Sequence, residues 1–157
     1  MKTSNLMETT KMAQQDLNYS IFAKITPQEA AEKISRVSEW WGKNTSGSSQ
    51  KQGDVFTYHA GDTWVTFKVS EVIPYRKIVW QVTDCYLSWI DNKKEWKETS
   101  IVWDIANIGD STQINFIHLG LVPAMECYND CEKGWSDYIK QSLFKFITQN
   151  EGMPDKF

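Results

Sequence analysis

Hydrophobic residues change their spacing several times along the chain, and each change predicts an element. Tyr19, Ile21, Ala23 and Ile25 alternate with polar neighbours, which predicts a first strand over residues 19–25. Thr26-Pro27-Gln28-Glu29 then reads as a helix start, with Thr26 as N-cap, Pro27 at the first helical position and Glu29 closing a capping box. Ala30, Ile34 and Val37 follow at helical spacing, and the short helical region ends at Trp40-Trp41-Gly42. Residues 44–52 are polar and rich in Gly and Ser, a loop. From Asp54 the period is two, and strands are predicted over 55–59, 63–73, 77–84, 85–90, 99–105 and 112–119. Turn residues separate most of them: Gly61-Asp62, Pro74-Tyr75-Arg76, Asp91-Asn92-Lys93 and Gly109-Asp110. After Pro123 the helical period returns, with Tyr128, Cys131, Trp135, Ile139, Ser142 and Phe146 on one face. Asn150-Glu151-Gly152 and Pro154 end that helix.

Short links between successive strands require antiparallel neighbours, so the middle region is a meander. A meander with one apolar face must cover it, and only the last helix is long enough. The predicted fold class is therefore α+β with a helix-grip arrangement. A curved antiparallel sheet wraps a long C-terminal helix, and two short helices follow the first strand. Residues 1–15 are polar and aperiodic and are expected to form a disordered tail, leaving one domain over 16–153.

Composition narrows the partners. The chain has 157 residues, the size of a single domain, and a formal net charge of −3. That charge, with no basic run, argues against nucleic acid and anionic membrane as partners. Cys85, Cys127 and Cys131 are an odd number, and the N-terminus lacks an apolar signal segment, so free thiols in the cytoplasm are expected. Eight tryptophans exceed what a core of this size needs and point to an aromatic-lined interior or an aromatic surface.

The stretch His118-Leu119-Gly120-Leu121-Val122-Pro123, then Glu126-Cys127-Tyr128, Gly134-Trp135 and the helix over 138–147, resembles one branch of the START/birch-pollen-allergen-like (SRPBCC) superfamily, the Hsp-ninety-ATPase-activator-like domain proteins. Trp40-Trp41, Gly53-Asp54-Val55-Phe56-Thr57-Tyr58, Val79-Trp80 and the 91–99 segment with Glu95-Trp96 are similar to the same branch at matching spacing. The resemblance extends over about residues 17–153 and implies a sheet gripping the last helix, with a cavity open toward the loops. Members bind apolar ligands, act as cyclases or hydrolases, or assist a chaperone. The shared motifs are structural and do not select among these activities.

Strand alternation puts Val65, Phe67 and Val69 on one face. Ile78, Trp80 and Val82, then Ile101, Trp103 and Ile105, then Ile114, Phe116 and His118 form the equivalent faces of the other strands. A cavity bounded by Trp80, Trp103, Phe116, Tyr128 and Trp135 is expected, with Trp41 near its mouth and Phe67 and Cys131 also facing it. His118 is the polar group on this face, either bonding a ligand, acting as a general base, or simply bonded within the strand end. His59 is expected to be exposed beside a turn. Asp84 continues an inward face and either meets a ligand or caps a turn. Glu126 suits a helix start, and Gly134 is expected to permit close approach of helix and sheet. Cys127 and Cys131 are neighbours on one helical face, but zinc-type spacing is absent and no metal is expected. No nucleophile elbow, phosphate loop or triad is present, so no catalytic residue and no cofactor are assigned.

Three functions fit. The first is a binding protein for a hydrophobic or aromatic small molecule, and the second a cyclase or hydrolase using the same pocket. The third is a chaperone-associated module or homodimer using an outward face of Trp64, Trp89 and Trp96.

Overall fold

The computed structural model describes residues 15–157, so most of the predicted N-terminal tail lies outside the described residues. Among these residues, seven strands form one antiparallel sheet. They are β1 (Leu17–Ala23), β2 (Ser46–Gly47), β3 (Val55–Ala60), β4 (Thr63–Ile73), β5 (Lys77–Tyr86), β6 (Ser100–Ile108) and β7 (Ser111–Leu119), in the order β1-β7-β6-β5-β4-β3-β2. Between β1 and β2 lie the short helices α1 (Pro27–Ser35) and α2 (Val37–Trp40). The C-terminal helix begins as α3 (Tyr128–Asp137), passes through a π-helical stretch at Tyr138–Leu143, and ends as α4 (Phe144–Gln149). The fold class read from the sequence is thus the one observed, including the two short helices.

Local chemistry explains the boundaries. Thr26 accepts the Glu29 N–H at 3.1 Å and starts α1, with Pro27 in its first turn. Asn150 adopts the left-handed region (φ 59°) and closes α4. Ser142 donates to the Trp40 carbonyl and accepts the Met153 N–H at 2.7 Å, so the chain beyond α4 is held against α2. Asp155 extends the attachment, its N–H bonding the Trp41 carbonyl and its carboxylate accepting the Lys43 N–H.

Four local readings are corrected. Residues 85–90 are not a separate strand: Cys85 and Tyr86 finish β5, paired with Val65 and Trp64, and the chain then turns through a loop over 87–98. Strand β6 pairs with β5 only as far as Gln81↔Ser100, so the far end of β5 has a neighbour on one side alone. The second correction comes from a bulge. The register steps from Thr66↔Asp84 to Phe67↔Val82, leaving Thr83 as an extra residue. That extra residue inverts the alternation, so Val82 and Cys85 are both buried while Asp84 turns outward. The Asp84 carboxylate accepts the Cys85 N–H and the Lys94 ammonium, each bond near the surface. Lys94 above all holds its carboxyl below the usual range. Third, the polar loop over 44–52 contains the two-residue edge strand β2. His59, expected to be exposed, is half-buried.

Candidate ligand-binding cavity

The inward faces of β3 to β7 meet as a column of rings. Trp103 touches Trp80 at 5.5 Å between centroids, Phe116 at 5.0 Å and Trp40 of α2 at 5.8 Å. Phe56, Phe67 and Trp80 complete the cluster, and all are essentially fully buried. Trp40 is the filling piece: its indole enters from outside the sheet and donates to the Ile34 carbonyl at 3.1 Å.

Toward the 87–98 loop the rings no longer fill the interior. A cavity of about 330 Å³ opens between the β3–β4 hairpin, that loop and the C-terminal helix, within the size range of ligand sites. A continuous arc of rings forms part of its wall. Tyr58 stacks on Trp41 at 3.9 Å and 10°, Trp41 meets Trp135 at 4.8 Å, and Trp135 stacks on Trp96 at 5.9 Å and 13°. Gly42 makes the first contact feasible, since a Cβ there would lie 2.5 Å from the Tyr58 ring. Burial pushes the Tyr58 phenol well above its ordinary range, so it stays neutral. Gly134 also lines the cavity, and a Cβ on it would meet no atom within 4 Å. The expected role of Gly134 in close helix–sheet approach is therefore corrected: its missing side chain leaves space.

His118 stands behind this arc, fully buried. Trp135 Nε1–H donates to His118 Nδ1 at 3.1 Å, which leaves the ring proton on Nε2. Nε2–H then donates to Thr99 Oγ1 at 2.9 Å, and the Thr99 hydroxyl donates to the Trp96 carbonyl at 2.6 Å. Every polar atom of the relay is satisfied. Burial lowers the His118 pKa from 6.5 to about 3, so the ring is neutral. In this state it orients Trp135 and the Trp96 segment, and its nitrogens have no capacity left for a ligand.

Two carboxylates fasten the loop to the helix. Glu95 accepts the N–H groups of Glu126 and Cys127, both at 2.9 Å, at a helix start whose Cys127 side chain provides no cap. Glu126 in turn accepts the N–H groups of Asp91 and Asn92 at 2.8 and 3.1 Å, bonds that hold its carboxyl below the usual range. At the mouth, the half-exposed Trp89 donates its indole N–H to Asp130 of α3 at 3.1 Å. The Cys127 and Cys131 thiols are in contact: the Trp96 indole N–H donates to Cys127 at 3.3 Å, and Cys131 also donates to Cys127. That bond and burial hold the Cys131 thiol far above its ordinary range, which disfavours the reactive thiolate. Among the described residues there is no group of three or more side chains able to hold a metal ion.

Of the residues assigned to a ligand site, Trp41, Cys131 and Trp135 lie on the cavity wall. Phe67, Trp80, Trp103, Phe116 and His118 do not line it and belong to the packed interior behind it, while Tyr128 is half-buried against the core. Trp96, read as a surface tryptophan, is buried and lines the cavity, so it drops out of the proposed outward face. Trp64 is partly covered by the Lys94 ammonium, 5.0 Å from its ring. Tyr58, Trp89, Asp130 and Tyr138 are wall residues that alternation did not single out. Tyr58 was recoverable, since it alternates with Phe56. Tyr138 was recoverable too, since it follows Trp135 by three residues, one helical turn on.

No protein-family model matches the chain, and no curated protein sequence matches it. Solved structures do. The solution structure of the Aha1 dimer from Colwellia psychrerythraea matches with a TM-score of 0.71 and 19% identity, over 87% of this chain and 98% of that one. DynU16 of the dynemicin biosynthetic locus matches at 0.67 and 15%, over 87% of this chain and 48% of its own. CalU16 from Micromonospora echinospora matches at 0.64 and 13%, over 88% and 77% respectively. The architecture is thus the fold of these structures, a helix-grip arrangement. The likeness to the Colwellia Aha1 structure is one of fold, as the resemblance in the sequence implied. No helix among the described residues is long and apolar enough to cross a membrane.

Proposed function

We propose that the chain is a binding protein for a hydrophobic or aromatic small molecule held between the sheet and the C-terminal helix. The observation that carries this reading is the unfilled cavity of about 330 Å³ edged by the Tyr58–Trp41–Trp135–Trp96 arc. Rings of this kind present a large apolar area at low entropic cost, and the wall offers few polar groups to orient a ligand. A cyclase or hydrolase would need a proton-transfer group deep in the cavity; the buried relay around His118 supplies none, and the one wall carboxylate, Asp130, sits at the mouth bonded to Trp89. The three free thiols suit a reducing compartment such as the cytoplasm.

Native mass spectrometry of the purified protein, followed by tryptophan-fluorescence titration with neutral aromatic compounds, tests the reading. A retained apolar molecule or saturable one-to-one quenching is expected, and a complete lack of binding across such a panel would sink it. Self-association is a second property worth measuring, since the Colwellia Aha1 was solved as a dimer and Trp89 is half-exposed here. Sedimentation of wild type against Trp89→Ala would reveal a dimer built on that face.

A further inference from the structure

We infer that the cavity selects a cation, an ammonium group carried on an apolar or aromatic body. The inference rests on the reading of the cavity as a ligand site and concerns the charge of its occupant. Trp41, Tyr58, Trp89, Trp96 and Trp135 all contribute to the wall. Aromatic faces carry negative potential, and several rings around one volume favour a positive guest, most strongly when water is excluded. No lysine, arginine or histidine lines the cavity, and its one formally charged side chain is Asp130.

The bonding around Asp130 leaves it available. Its Oδ2 accepts the Trp89 indole N–H at 3.1 Å, while Oδ1 has no hydrogen-bond or ion-pair partner among the described residues. Lys93 of the loop is engaged elsewhere, donating to the Ser88 carbonyl at 2.8 Å and lying 5.8 Å from the Tyr86 ring. Lys133 of α3 is paired with Asp137 at 2.8 Å. The other ionisable wall groups, the phenols of Tyr58 and Tyr138 and the Cys131 thiol, are all pushed upward and stay neutral. An acidic ligand such as a fatty acid would meet a like charge with no counter-cation on the wall. A cationic guest would have aromatic rings around its body and a free carboxylate oxygen at the mouth.

A matched pair of probes separates charge from shape: phenyltrimethylammonium and its neutral isostere tert-butylbenzene, titrated by tryptophan fluorescence. The cation is expected to bind about tenfold tighter than the isostere. In Asp130→Asn, whose amide oxygen still accepts from Trp89, most of that preference should vanish while tert-butylbenzene binds as before. In Gly134→Leu both probes should lose affinity together. Equal or tighter binding of tert-butylbenzene in the wild type would overturn the cation inference and leave the apolar-ligand reading intact. A preference unchanged in Asp130→Asn, or cation binding unchanged in Gly134→Leu, would also overturn it. Binding of neither probe would overturn both readings.

Discussion

The two ends of the interior are made from the same kind of residue and come out differently. Around Trp103 the rings close on one another, because Trp40 arrives from α2 and occupies the space left between strands. Around Trp135 the rings line one side of a space, and one of the helix residues facing it is Gly134, with no side chain to contribute. A surplus of aromatic residues therefore does not by itself indicate a pocket. What separates core from cavity is whether a side chain from a different element enters the gap.

The comparison can be broken most severely at the closed end. Trp103→Ala should cost about 3–5 kcal/mol of stability in urea or thermal unfolding, as expected for an aromatic removed from a filled site. Loss of less than about 1 kcal/mol would mean that the rings there are loosely packed.

Next in size is an acid effect at the boundary between the two ends. His118 has a folded pKa near 3 and an ordinary unfolded value of 6.5, so the unfolded state binds more protons between these limits. Its contribution is therefore fully present above about pH 6.5 and is lost as the pH falls toward 3, by up to about 1.4 kcal/mol per pH unit. His118→Gln should flatten that part of a stability profile measured from pH 7 to 4. In the wild type, NMR should show the ring remaining neutral at pH 5. A ring titrating near 6.5 would contradict the buried relay.

A smaller effect is expected at the loop. Glu95→Ala removes the acceptor for two N–H groups at the start of α3 and should cost about 0.5–2 kcal/mol, the range for a lost N-cap. Hydrogen exchange should speed up at Glu126 and Cys127 and through the loop over 87–98. The smallest change in stability belongs to Trp89→Ala, within about 0.5 kcal/mol for a half-exposed ring at the mouth. Its effect should be read in ligand release.

The sheet and its inward faces were legible because the period-two pattern survives wherever pairing is regular. Ile101, Trp103 and Ile105, or Ile114, Phe116 and His118, all point inward as their alternation requires. Legibility failed at Asp84, where one bulge residue reversed the parity, and over 85–90, where apolar alternation continued after the neighbouring strand had ended. The C-terminal end of the last helix followed from Asn150 and Pro154, but its π-helical turn left no mark in the spacing. The site was legible only in part for a related reason. Trp41, Cys131 and Trp135 share a cavity because Trp40, next to one of them, fills the other half of the interior. A pattern of inward residues does not reveal which inward volume stays empty. Gly134 was visible in the sequence, yet its meaning depends on what lies opposite.

The most direct test of this account is a parallel titration of wild type and Gly134→Leu with the neutral fluorescent probe N-phenyl-1-naphthylamine, alongside thermal unfolding of both. Leucine at this position should suit the helix, since glycine costs about 1 kcal/mol there relative to good helix formers, and its side chain would occupy the cavity. Saturable one-to-one binding is expected in the wild type, with its loss in a variant that unfolds at an equal or higher temperature. Equal binding by the two proteins would contradict this account, because the probe would then be held somewhere other than beside Gly134.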